Sequence, residues 1–99
     1  MNDIKGDWET RRVIVTASGL SPTKSQKVWN HSPDGFNWGY GGSGPAQLAL
    51  ALLLEFGVNE ATAVAFHQQF KRDVIATLPQ ADFTMEKTEV TGWISKNVL

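Results

Sequence analysis

Cysteine is absent from the 99 residues, and its absence excludes disulfides and thiolate zinc sites. The two histidines, His31 and His67, are too few to make a metal centre by themselves, so no metal or other cofactor is expected, although His31, His67 and Asp34 could meet in the fold. Charge of one sign is also scarce: nine Lys and Arg stand against ten Asp and Glu, both scattered, and the net charge is -1. Duplex binding rests on many phosphate contacts, and the densest basic spots, Arg11-Arg12 and Lys71-Arg72, read as solvated faces, so a nucleic acid partner is not expected. Long apolar runs are missing as well. The longest, Leu48 to Leu54, is about a third of a bilayer span, so no membrane partner is expected either. The opening stretch MNDIKGDWETRR carries no apolar run of the kind a signal peptide needs. With the missing cysteines, this sets the expectation of a cytoplasmic protein. No repeat or low-complexity segment is visible.

The aromatics, by contrast, are plentiful. Four Trp, five Phe and one Tyr among 41% hydrophobic residues supply the bulk for one core, and residues 1–99 are expected to form a single small domain.

The first thirty residues read as extended. Arg12 to Thr16 is β-branched and short, "ASGLSPTKS" has the Gly, Ser and Pro of a connection, and a second strand is expected over Gln26 to Asn30, pairing with the first as an antiparallel hairpin. "HSPDGF" places Pro33 at the second position of a type I turn completed by Asp34 and Gly35. Phe36, Trp38 and Tyr40 then alternate with Asn37, Gly39 and Gly41, a period of two that would set three rings on one face of an extended segment. That ladder is either core or, in part, the lining of a pocket.

Ser43 or Gly44 can cap a helix with Pro45 in its first turn. From Ala46 to Phe56 only Gln47 and Glu55 are polar, so this helix should be wrapped by other elements, with Glu55 reaching solvent or pairing with Lys71 or Arg72. Gly57 is the expected stop. Asn59 can cap a second helix, from Glu60 to Leu78, whose Phe66, Phe70, Val74 and Leu78 form a stripe every four residues. After Pro79 a short strand around Phe83 to Met85 and a closing helix from about Thr88, packing through Val90, Trp93 and Ile94, complete the chain. The fold class expected is α+β: a small antiparallel sheet of two to four strands on two or three helices, one of them central and buried.

Gly39, Gly41 and Gly44 satisfy GxGxxG, but no second parallel strand with an acidic end follows the helix, as a dinucleotide-binding unit requires. What remains is a local anion site on the backbone N–H groups of Gly42 to Gly44, Ala46 and Gln47 at the positive end of a buried helix, or else tight packing. His31, Asp34 and Ser43 are the residue types of a hydrolytic triad, yet Gly41-Gly42-Ser43-Gly44-Pro45 is not a G-x-S-x-G elbow, and no catalytic residue is assigned. The candidate ligand- or partner-binding residues are His31, Asp34, Trp38, Tyr40, Gly41, Gly42, Ser43, Gly44 and Gln47, with Trp38 and Tyr40 as anchoring rings.

The run NHSPDGFNWGYGGSGPAQLALALLL, with Phe70-Lys71 and Trp93-Ile94 further on, resembles the signature HSPxGFxWGYxGSGPAQLALA of a family of short phage, plasmid and bacterial proteins of unknown function. The resemblance implies no reaction. It implies a context, that of small mobile-element proteins that act by binding host machinery. The function expected is therefore non-enzymatic binding of a host protein or a small anionic ligand at the surface from His31 to Gln47. The alternative is a small enzyme or sensor that holds a nucleotide-like or phosphorylated ligand on Gly42, Ser43 and Gly44 with His31 and Asp34 as acid and base. The short antiparallel edge leaves pairing with a second copy as a further expectation.

Overall fold

Strand pairing joins segments distant in the amino-acid sequence, Ile4–Gly6 and Phe83–Met85. The computed structural model describes residues 3–98, and in it β1 (Ile4–Gly6) is the centre of a small antiparallel sheet. On one side β1 pairs with β2 (Val13–Val15), and on the other with β4 (Phe83–Met85); β3 (Ser18–Gly19) continues the sheet beyond β2, giving the order β3-β2-β1-β4. Ile4 faces Val15 and Met85 across the two ladders, and Ile4 and Met85 are buried. At Gly6 the Phe83 ring lies against the main chain where a Cβ would stand, so glycine permits that strand contact.

The fold is α+β, and it departs from the expected hairpin. Val13–Val15 does not pair with Gln26 to Asn30. It turns back at once through Thr16 and Ala17, both at positive φ (48° and 66°), a mirror-image turn whose twist matches the strands. Residues Pro22–Val28 form a helix, α1, in place of the expected second strand. Its start was written in the sequence: Ser21 accepts the Thr23 N–H at 3.2 Å and Pro22 occupies the first helical turn, where its missing N–H costs nothing.

Helix α2 (Ser43–Glu55) is the centre of the molecule. Every residue from Gly44 to Leu54 is buried, whereas Ser43 and Glu55 at its two ends are exposed. Glu55 thus reaches solvent. The helix stops in a Schellman arrangement: Gly57 takes φ +90°, its N–H donates to Leu54, and that of Val58 donates to Leu53.

Helix α3 (Glu60–Asp73) starts at Asn59, whose Oδ1 accepts the Thr62 N–H at 2.9 Å. It ends five residues earlier than its apolar pattern suggests, giving way to a 3₁₀ turn at Ile75–Thr77. The expected stripe is also turned. Ala63, His67 and Phe70 are the buried positions, while Phe66, Val74 and Leu78 flank them, half-buried. Helix α4 (Lys87–Asn97), started by a reciprocal Glu86–Glu89 capping box, lays Val90 and Ile94 into the core. Its Trp93 is edge-on to Phe70 (4.9 Å) and donates from Nε1 to Asp73 at 2.9 Å.

Candidate functional site

The turn predicted at "HSPDGF" forms, with the Gly35 N–H donating to Ser32 at 3.2 Å. The aromatic ladder behind it does not. Gly39 takes φ +82° and its N–H donates to Ile75, so the chain bends where an alternating strand would continue. The three rings separate as a result. Phe36 and Trp38 are buried, Trp38 completely, whereas Tyr40 stands 42% exposed. Trp38 packs edge-on to Phe83 at 4.8 Å and Trp8 at 5.7 Å, and its Nε1 donates to Ala81 at 2.9 Å. It is a core residue, and the expectation that it anchors a partner is corrected by this burial.

Gln47 is likewise withdrawn from the surface. Its Oε1 accepts the N–H groups of His31 (2.7 Å) and Ser32 (3.0 Å), and its Nε2 donates to Ser25 Oγ (2.9 Å) and the Trp29 carbonyl (3.1 Å). The lone polar residue inside the apolar helix therefore fastens α1 and the 29–32 segment to α2. All of its side-chain capacity is spent, leaving nothing for a ligand.

The glycines divide. Gly44 is buried against Asn37, where a Cβ would come within 2.6 Å of the Asn37 Cβ, which is tight packing. Over Gly42 lies the Tyr40 ring, and Gly41 has open space around it. The Ala46 N–H donates to Gly42 and is thereby used up. Ser43 and Gly41 remain exposed.

In front of this helix start is an open depression of about 700 Å³, bordered by the Glu9–Arg11 turn, the loop from Ser32 to Asn37, and Tyr40, Ser43 and Gly44. Beyond Asp34, Gly35 and Phe36 a second depression of about 560 Å³, lined also by Val13, Leu20 and Pro22, adjoins it. Arg11 is the side chain that sequence reading missed. Its backbone is at φ +62°, its guanidinium lies 3.5 Å from the Trp8 ring centroid, and its Nε donates to Asn37 Oδ1 at 3.1 Å. Held on two sides, it is a positioned cation rather than a free one. Glu9 and Asp34 add carboxylates to the same rim, so the depression has donors and acceptors of both signs.

His31 belongs elsewhere. Its Nε2 lies 2.8 Å from Nε2 of the buried His67, and the Trp29 ring stacks on it at 4.5 Å. The structure brings the two histidines together and leaves Asp34 and Ser43 apart from them, on the depression. Among the described residues no group of three His, Cys, Asp or Glu side chains is placed to hold a metal ion. Burial chiefly, then the His67 and Lys71 charges, lower the pKa of His31. Burial also lowers that of His67, with its hydrogen bonds to the Val64 and Ala63 backbone opposing and Lys71 assisting.

Residues 4–96, which carry the sheet, α1 to α3, all but the last residue of α4, and this depression, match one family. The chain belongs to DUF6166, a family of unknown function. No curated protein and no solved structure matches it. Membership covers the Arg11 turn and the 31–47 segment alike, so the depression is built entirely from the part the DUF6166 family shares. No helix among the described residues is long and apolar enough to cross a membrane.

Proposed function

We propose that this DUF6166 protein is a non-catalytic binding module, and that its partner or ligand sits in the depression at the start of α2. The observation that carries this reading is the exposed Ser43 at the start of a helix buried from Gly44 to Leu54, bordered by a guanidinium that Trp8 and Asn37 hold in place and by the half-exposed ring of Tyr40. Amide hydrogens at a helix start attract anionic or strongly polar acceptors, a fixed Arg adds planar donors, and Tyr40 offers contact area at small entropic cost. Glu9 and Asp34 favour an occupant that also presents donors, as a protein surface does.

In the enzymatic alternative Asp34, Ser43 and Gly44 share the depression, but the histidine of its acid–base pair does not. A general base must reach the reacting proton, and His31 is turned to His67 and lies outside the depression. The family resemblance suggests a mobile-element protein whose partner is a host component, and the lack of cysteine favours a reducing compartment such as the cytoplasm.

The test is a backbone amide titration by NMR with inorganic phosphate and with a nucleotide. Shifts confined to Gly41–Gly44 and the Arg11 side chain, lost in Arg11→Ala, support a small anionic occupant. If neither probe shifts these signals, the anion arm fails. Capture of a partner dependent on Tyr40 and Arg11 together then decides for a protein occupant, and independence from both residues sinks the reading.

A further inference from the structure

His67 Nδ1 lies 2.7 Å from the Val64 carbonyl, which can only accept, so that nitrogen carries the hydrogen. In the neutral ring Nε2 then holds a lone pair, and the hydrogen in the 2.8 Å contact must come from His31 Nε2. Both nitrogens of His67 are thereby assigned, and its ring is fully buried. The Trp29 ring covers the pair, stacked on His31 at 4.5 Å and edge-on to His67 at 5.5 Å, while remaining 47% exposed itself.

We infer that the His31–His67 contact is a proton-operated latch. It holds the Trp29 and His31 rings on α3 while the pair carries at most one added proton, and it releases them when both rings are charged.

The first added proton goes to His31 Nδ1, because Nε2 of that ring already bears a hydrogen. The contact then becomes a charge-assisted N–H···N bond under the face of an indole, and it survives. The second proton has one place to go, His67 Nε2. There it removes the lone pair that accepts the bond and sets two N–H groups against each other across 2.8 Å. Lys71, one turn further along α3, adds a like charge to both rings. Gln47 from α2 and Trp29 from the loop pack against the pair without charge, so a doubly charged pair meets no compensating group from these neighbours.

Release is local because the backbone has a separate anchor. The His31 and Ser32 N–H groups stay on Gln47 Oε1, so the side chains of His31 and Trp29 swing outward and let water reach His67. The latch is independent of whether the depression at α2 binds anything.

The test is a side-chain NMR titration of the full chain from about pH 8 to about pH 4, a range that brackets ordinary histidine titration. The expected result is a stepwise pair of protonations, His31 first. Nuclear Overhauser contacts between the Trp29 and His67 rings should persist through the first step and vanish at the second, with the Leu50 and Leu52 methyl signals unmoved. Two rings that titrate independently, ring contacts that outlast both protons, or global unfolding before the second step would each overturn the latch. His31→Phe keeps a ring on Trp29 without the N–H donor, and in it His67 protonation should leave Trp29 in place. Trp29 movement coupled to His67 in that variant equally overturns the proposal.

Discussion

The Gln47 side-chain oxygen lies 2.7 Å from the His31 nitrogen, although the two residues are 16 positions apart and Gln47 belongs to the most apolar helix of the chain. One amide in an apolar interior thereby sets where the 29–32 segment, α1 and α2 meet. A buried polar group that is fully paired specifies one arrangement; half-paired, it disrupts all of them.

Gln47→Leu should destabilise the fold by about 3 kcal/mol, since it strands the Ser32 N–H, leaves the His31 N–H only its 3.1 Å contact with the Trp29 carbonyl, and removes the donor to Ser25 and Trp29. Urea denaturation followed by far-ultraviolet circular dichroism measures it. A change below about 0.5 kcal/mol would show that water replaces the amide without loss.

Gly39 and Gly41 should respond in opposite ways to alanine. At Gly39 the φ of +82° is compounded by the Leu78 carbonyl at 3.1 Å and the Gln80 nitrogen at 3.2 Å, both backbone atoms that cannot give way cheaply, so Gly39→Ala should cost about 1–3 kcal/mol. Gly41 has nothing within 4 Å of a new Cβ, and its variant should stay within about 0.5 kcal/mol of the parent. Paired thermal melts give the comparison.

Trp38 and Tyr40, two residues apart, should separate stability from binding. Trp38→Phe loses the bond to Ala81 and core volume, at about 2 kcal/mol. Tyr40→Ala, on an exposed ring, should change stability by less than about 1 kcal/mol and weaken whatever occupies the depression. Denaturation midpoints beside the amide titration distinguish the two.

Stability should fall as the solution is acidified through the histidine range. Both imidazoles are held below their ordinary value of 6.5 by burial, so beneath that pH the unfolded chain binds protons that the folded chain refuses. The stabilisation is whole above 6.5 and is lost progressively as pH drops from there through the folded-state values. Urea midpoints measured from pH 7.5 down to about pH 5, above the main carboxylate range, should decline in the parent and decline less in His31→Phe. A flat profile in the parent refutes the effect.

Local chemistry was the legible part of this molecule. The caps at Asn59 and Gly57, the Ser32–Gly35 turn, the strand at Phe83–Met85 and the closing helix all follow from side chains within a few residues of where they act. The apolar run after Pro45 likewise required a buried helix, because no face of it could be left in water. Even α1 had its signal in Ser21-Pro22, outweighed in reading by the extended look of the residues around it.

Long-range partners decided the rest. Period-two aromatics make a strand only where another strand pairs with them; here the Ile75 carbonyl and the left-handed turn at Gly39 took that place, burying Trp38 and freeing Tyr40. A meeting of His31, His67 and Asp34 was open from the sequence, but only the fold put His31 on His67, 36 positions away, and left Asp34 on the depression; Arg11 read as one of a solvated pair until Trp8 and Asn37 closed on it. The amino-acid sequence by itself determined where helices start and which helix must be interior, because those follow from short-range bonding and from hydrophobicity. Only the tertiary structure decided which polar side chains meet, because a hydrogen bond requires its partners within about 3 Å, and chain topology alone sets that distance.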